Sequence, residues 1–463
     1  MDDLERGSRR RFLLGCGRAV ERTADGGDWP VASAGRVDKP VPSDARSPRK
    51  PVPSAAPAGV AVALDLSVGR AAHAAGSDQI RFALVGCGAR GAGAAGNLLD
   101  VKGNLKLIAL ADAFVERAQG ALADLKRFYA DQIDVPRERI FVGLESYREA
   151  IACDVDLVIL ATPPGFRPAM YQAAVEAGKH VFMEKPCCTD APGFRTVMEA
   201  NRQADQKGLK VGVGFQRRHA NGYRQAVQEI REGKIGDVVL LRTYSNGGSV
   251  PPARRKPDMG EMEHQIRNWA HFVWLSGDSI LFFHVHQIDV ANWVKDDHPI
   301  EAHGMGGRRV RATHQHGQIF DHHVVEFTYR DGTKLLSQCR QIPGCWNTVE
   351  EHALGTKGSL CLSAFRRAGR GANNPYVQQY VDLVAAIRSG AKYHEGWHGA
   401  TSSFTAILGR MATYSGQVVR WDEAAAQGPS EMPDRLAWDA QPKALPDAES
   451  NYPAAMPGVY KPY

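Results

Sequence analysis

Three glycines in Gly86-x-Gly88-x-x-Gly91 and a carboxylate at Asp112 are the residues of this sequence whose types and spacing most directly suggest chemistry. In a dinucleotide-binding unit the first glycine makes a tight turn, the second lets a pyrophosphate approach the backbone, and the third allows close helix-to-strand packing. Arg90 stands inside the same loop. Asp112 follows Gly91 by 21 positions, where a carboxylate can accept hydrogen bonds from adenosine ribose hydroxyls. Its charge argues for NAD over NADP, because a 2′-phosphate would be repelled there; Arg117 is the residue that could overturn this.

Such residues need a strand, a turn and a helix to hold them. Residues 82–85 read as a buried parallel strand, and 92–99 as a small-residue helix whose free N–H groups and positive dipole end face the phosphates. Strand 105–111 ends at Asp112; helix 114–129, a short strand 140–142 and a short helix 146–152 follow. The continuous apolar run 156–162 suits a strand buried on both faces. It ends in Thr162-Pro163-Pro164, where proline stops the ladder and opens the carboxyl edge at which open α/β sheets bind ligands. Helix 169–178, strand 179–183 ending in Glu184-Lys185-Pro186, helix 193–207 and strand 209–215 complete a sheet of about six strands.

With 463 residues, 43% of them hydrophobic, the chain can build two domains plus extensions. Its formal charge is +6, but the first 50 residues, with 11 basic and 8 acidic, supply half of that excess, so no nucleic-acid surface is expected. The eight cysteines form no CxxC, and several lie in apolar stretches, which predicts buried free thiols. Ten of the sixteen histidines crowd between His264 and His323; pairs such as His314-x-His316 and Asp321-His322-His323 are at most composition-level hints of a metal site, and none is expected.

The leader, residues 1–76, carries Ser8-Arg9-Arg10-Arg11-Phe12-Leu13-Leu14, which resembles the twin-arginine export signature. The segment 18–57 is polar and rich in Pro, Ser, Asp and Arg, and the apolar run 58–68 arrives late and is too short to span a bilayer, so no membrane span is expected. Two readings stand: an export signal with a lengthened middle, which would place the protein in the periplasm, or a disordered basic leader on a cytoplasmic enzyme. The first is preferred.

Gly86-x-Gly88-x-x-Gly91, Ala161-Thr162-Pro163 and Glu184-Lys185-Pro186, taken together at these spacings, resemble the Gfo/Idh/MocA oxidoreductases, from about residue 80 to about 419. The resemblance implies a Rossmann dinucleotide-binding domain over 77–215, and over 216–423 an α+β domain with a large, mostly antiparallel sheet that often mediates dimers or tetramers. Residues 424–463 are left as a surface-wrapping tail. It also implies that Thr162, Pro163, Glu184 and Lys185 line the cofactor, and that Lys185 sits beside the nicotinamide.

Members commonly carry Asp-x-Gly-x-His-x-x-Asp in the second domain, with the histidine as acid/base; here His286 and Asp289 match the latter half. The resemblance thus makes His286 the general base, with Asp289 one helical turn away and Lys185 stabilising developing negative charge. The departure is Phe282, four positions before His286, where those enzymes have an aspartate; His284 replaces the usual glycine. Gln216, Arg217, Tyr244, Trp269 and His284 are the candidate substrate contacts. The expected activity is NAD-dependent oxidation of a sugar, glycoside or cyclitol. An NAD-dependent glycosidase working by transient oxidation is the alternative, and a sensor without turnover the third reading.

Overall fold

The computed structural model describes residues 78–310, 316–365 and 373–463. The leader with its arginine motif, and His314, lie outside the described residues. Six strands, β1 (Ile80–Val85), β2 (Leu105–Asp112), β3 (Ile140–Val142), β4 (Leu157–Leu160), β5 (His180–Met183) and β6 (Val211–Val213), form an all-parallel sheet in the order β3-β2-β1-β4-β5-β6. The order reverses between β1 and β4, so the crevice beyond their carboxyl ends is the place where such a sheet binds a ligand. Strands β1, β2 and β4 are almost wholly buried, since helices cover both faces.

The second sheet has seven strands: β7 (Val238–Gly247), β8 (Pro299–Gly307), β9 (His322–Tyr329), β10 (Lys334–Gln341), β11 (Thr348–Gly355), β12 (Gly358–Cys361) and β13 (Val419–Arg420). Their order is β12-β11-β7-β10-β9-β8-β13, with only β7 and β10 parallel. Period-2 alternation turns Ser337, Cys339, Val325 and Phe327 inward, and Leu336, Val324 and Met305 outward into solvent. Strand β8 has no alternating apolar pattern to announce it. Its glycines answer to packing instead: a Cβ on Gly304 would stand 2.4 Å from the Val324 carbonyl oxygen and 3.1 Å from Thr413 on the helix Gly396–Ser415.

Three segments tie the two sheets together. The helix Pro375–Ser389, though it follows the second sheet in sequence, packs into the Rossmann core, with Tyr380 against Phe182 at 4.3 Å between ring centroids. Tyr393 and Glu395 then pair with β6 through Val211, a return crossing of the chain to the first sheet. The tail is bound along its length: Glu431 N–H donates to Asp190 at 2.8 Å, Gln265 to the Ala444 carbonyl at 2.6 Å, and Arg308 to the Tyr452 carbonyl at 3.0 Å. Seven cysteines fall within the described residues, all as free thiols. No helix among these residues is long and apolar enough to cross a membrane.

At the return crossing, buried His219 is clamped between Asp382 on Nδ1 (2.7 Å) and Glu395 on Nε2 (2.9 Å). Burial works against its protonation, but the two carboxylates outweigh burial and hold its pKa at about 9, while both acids are lowered. A histidine raised in the fold stabilises fully below its ordinary value and loses that contribution as pH climbs through about 9. The carboxylates lose theirs as pH falls below their ordinary range. The melting temperature should therefore decline between pH 7 and 9. His219→Leu should lower it at pH 6.5 and flatten that alkaline decline; thermal melts of both proteins across pH 5–9.5 check this, and parallel curves would exclude the clamp as the cause.

Candidate active site

The glycines of the loop do three different jobs. Gly86 has φ +91°, and a Cβ there would lie 2.5 Å from Thr162 N. At Gly91 a Cβ would lie 1.8 Å from the Gly86 carbonyl oxygen, so the helix Ala89–Leu99 can approach the strand only without a side chain. Gly88 is different: it has ordinary backbone angles (φ −68°, ψ 178°), and the nearest atom to a Cβ would be Arg117 Nη1 at 3.9 Å. Nothing in the protein requires a glycine there, whereas a pyrophosphate approaching the backbone would. That open cradle at a helix N-terminus fits a dinucleotide.

Asp112 closes the other end of the unit. Its carboxylate accepts from Cys87 N at 2.7 Å and Phe114 N at 2.9 Å, which fix both oxygens and leave a lone pair on each for ribose hydroxyls. Burial raises its pKa, and the two backbone donors offset part of that rise. The Arg117 guanidinium lies 5.3 Å from the centre of the Phe114 ring, and its charge acts on the acid.

At the carboxyl ends of β4 and β5 the loops Thr162-Pro163 and Glu184-Lys185-Pro186 are held together by Arg167. This buried guanidinium donates from Nη2 to the Thr162 carbonyl and from Nη1 to the Pro186 carbonyl. Burial lowers its pKa to about 10, so it remains charged at neutral pH. Sequence reading missed it; its only signal was a cationic residue in an otherwise apolar segment after two prolines. Glu184 is buried and pairs with Arg90 at 3.2 Å, so Arg90 bridges the glycine loop to the β5 loop. Arg90 also lies over Tyr376, 5.6 Å from the ring centroid, and Gln216 donates to the Tyr376 hydroxyl at 3.1 Å.

Lys185 projects toward the second domain, where its Nζ donates to the Phe282 carbonyl oxygen at 2.9 Å and stands 5.3 Å from the centre of the Phe282 ring. Burial disfavours its charged form and lowers its pKa to about 8, although Glu184 partly opposes the shift. His286, at the start of the helix Val285–Lys295, packs edge-to-face on Phe215 at 5.9 Å, and its Nδ1 has no hydrogen-bond partner. Burial drives its pKa well below the ordinary value, and the charges of Lys185, Arg217 and Arg90 push it the same way. The imidazole is therefore neutral at physiological pH. Trp269, Phe282 and Phe283 stand together as an aromatic wall beside Lys185, with centroid separations of 4.6 and 4.5 Å. Phe282 itself offers Lys185 a carbonyl and a ring.

The remaining sequence candidates fall elsewhere. Asp289 is buried and saturated, accepting from Arg218 Nε and Nη2 at 2.9 and 2.8 Å and from Ser402 at 2.8 Å, so its place is in an ion pair. His284, expected to touch substrate, is instead fully buried against the second sheet, where its Nε2 meets Ser337 Oγ at 2.7 Å; burial lowers its pKa to about 3. Tyr244 points to the sheet's opposite face beside Trp346 and His352, because its neighbour Thr243 points inward to His284. Arg217 is buried on Glu351, whose other oxygen accepts from Tyr223 at 2.8 Å, and it reaches the site only through its charge. Among the described residues no three His, Cys, Asp or Glu side chains converge as for a metal ion.

Residues 80–215 match the Gfo/Idh/MocA family, described as an oxidoreductase family with an NAD-binding Rossmann fold. Over these residues the fold and the glycine-loop site are those of an NAD-binding oxidoreductase domain of the Gfo/Idh/MocA type. The chain is 28% identical over 359 residues to an inositol 2-dehydrogenase/D-chiro-inositol 3-dehydrogenase of Halalkalibacterium halodurans, covering 73% of this chain and 92% of that one. It is 27% identical over 256 residues to the inositol 2-dehydrogenase of Acidiphilium cryptum, covering 55% of this chain and 66% of that protein's length. In fold it is similar to scyllo-inositol dehydrogenase from Lactobacillus casei with bound NAD(H) and scyllo-inositol, with a TM-score of 0.57 and 21% identity over 74% of this chain and 99% of that one.

Proposed function

We propose that this chain oxidises a secondary ring hydroxyl of a cyclitol or a related sugar, with Lys185 as proton acceptor and neutral His286 as the hydrogen-bonding partner that orients the hydroxyl. The observation that carries the reading is that the Lys185 charge acts on His286 while Lys185 itself lies against Phe282 and its aromatic neighbours. Lys185, lowered to about 8, has an accessible neutral amine near physiological pH; it can keep donating to the Phe282 carbonyl while its lone pair takes the hydroxyl proton. His286 is too poor a base for that task, so the acid/base role expected of it moves to the lysine. NAD, held by the glycine loop, Asp112 and the Arg90–Glu184 bridge, supplies the hydride acceptor. The inositol dehydrogenases named above favour a cyclitol substrate. The test is NADH formation against a panel of inositols and sugars, with a nucleotide-binding assay beside it; tight binding of cyclitol and NAD without turnover would convert the reading to that of a sensor.

A second reading, a glycosidase that oxidises, eliminates and reduces again, is favoured by one feature: the aromatic wall Trp269–Phe282–Phe283 in place of the expected carboxylate, which suits an apolar aglycone. Release of aglycone from aryl glycosides without net NADH would select it. In either case the outward face of the second sheet, with Met305, Val324 and Leu336 exposed, is the surface we propose for homo-oligomer formation.

The choice of NAD over NADP rests on Asp112. Asp112→Ala should lower the NAD/NADP preference by about tenfold or more, since it removes both the ribose acceptor and the charge that repels a 2′-phosphate. Dissociation constants for the two nucleotides measure it, and an unchanged ratio would remove Asp112 from the site.

A further inference from the structure

We propose that the C-terminal tail is part of the cofactor site: Trp438 forms a wall of the adenine pocket and helps retain the adenosine end of NAD. The proposal rests on the NAD assignment and extends it to a segment that precedes no sheet strand and carries no dinucleotide motif. A cavity of about 710 Å³ opens beside the carboxyl end of β3, between residues 142–149 on one side and the tail residues 436–439 on the other. It adjoins the ribose acid directly, because Gly143 N–H donates to the Asp112 carbonyl oxygen at 3.0 Å. An adenosine whose ribose is held by the Asp112 carboxylate must place its base beyond the ends of β2 and β3, where this cavity lies.

The walls suit a purine. Val142, Leu144 and Leu436 supply apolar surface, and Glu149 adds a carboxylate that can accept from an exocyclic amine, while Glu145 pairs with Arg148 at 2.7 Å and Asp439 with Arg435 at 3.0 Å. The Trp438 ring lies 5.6 Å from that of Phe114, the residue whose N–H holds Asp112, yet the indole is still 43% exposed. A half-covered indole at the mouth of a cavity has a face left to stack on a base. Phe114 is also covered by Arg267 of the second domain, whose guanidinium lies 3.6 Å from the ring centroid and pairs with Glu116 at 2.7 Å. Phe114, two residues after the ribose acid, is thus flanked by parts of the chain that lie more than 150 positions downstream.

The experiment compares wild type, Trp438→Ala and Trp438→Phe as full-length protein freed of co-purified nucleotide, titrated with NAD, with AMP and with nicotinamide mononucleotide. Wild type should bind all three. In Trp438→Ala the dissociation constants for NAD and AMP should rise together by tenfold or more, nicotinamide mononucleotide should bind as before, and Trp438→Phe should recover most of the loss. NAD and AMP bound by Trp438→Ala as tightly as by wild type would overturn the proposal. Equal weakening of all three ligands would also overturn it, because it would show a general loosening of the fold. A wild type that binds none of them would instead refute the cofactor reading on which the proposal stands.

Discussion

Replacing Lys185 by methionine is expected to lower kcat for hydroxyl oxidation by about 10²–10⁴-fold, the usual contribution of a positioned acid/base group, while NAD binding stays within a few fold. In the wild-type enzyme kcat/KM should rise with pH through an apparent pKa near 8 and level above it, because only the neutral amine accepts a proton. If His286 were the base with an ordinary imidazole value, the rise would be centred near ~6.5. The structure argues against that, since burial and the three neighbouring cations keep the imidazole neutral throughout the range. The sign of the stability effect separates chemistry from unfolding. Lys185 has its pKa lowered in the fold, so the unfolded chain binds its proton more readily and the native state bears a cost that is largest below about pH 8. Methionine keeps the length of the side chain and removes that cost. The variant should melt at or above the wild-type temperature at pH 7, and a large drop in melting temperature would mean that the lost activity reports structural damage.

The second large effect lies in the glycine loop, where two conservative changes should fail in opposite ways. Gly91→Ala places a methyl 1.8 Å from the Gly86 carbonyl oxygen, an overlap that only separation of helix and strand can relieve. The expected cost is about 4 kcal/mol or more, in the range of severe overpacking, with loss of soluble protein or a steep fall in melting temperature. Gly88→Ala meets nothing closer than a guanidinium tip at 3.9 Å and sits at backbone angles open to any residue. Its melting temperature should stay within a degree or two of wild type, roughly a surface substitution, whereas NAD affinity should drop by about tenfold or more. Calorimetric melts beside NAD titrations measure both. A Gly88→Ala protein that binds NAD normally would show that the loop does not cradle the pyrophosphate.

The first sheet was legible because its signals are local. Apolar runs at 82–85, 105–111 and 156–162 became β1, β2 and β4, buried on both faces as a parallel sheet demands, and each of the three glycines meets a restriction or an opening that the motif requires. The same locality explains what was misplaced. His-x-x-Asp spacing puts His286 and Asp289 one turn apart, but it says nothing about Arg218 and Ser402, which come from distant segments and capture the Asp289 carboxylate. For His284 and Tyr244 the facing of a side chain was the question, and that depends on how the helix Val285–Lys295 and strand β7 meet, a register no single segment carries.

By itself, then, the sequence determined the order of the elements, the loop that receives a dinucleotide, and the two residue types, lysine and histidine, available for proton chemistry. These follow from covalent neighbours and hydrophobic period, which act over a few residues. Tertiary structure alone sets the protonation tendencies on which the proposed division of roles rests, because pKa follows burial and charges such as Arg90 and Arg217 brought from across the chain. It also decided that Arg167 locks the two catalytic-edge loops and that Trp438 reaches Phe114, since long-range packing assigns each of those side chains its partner.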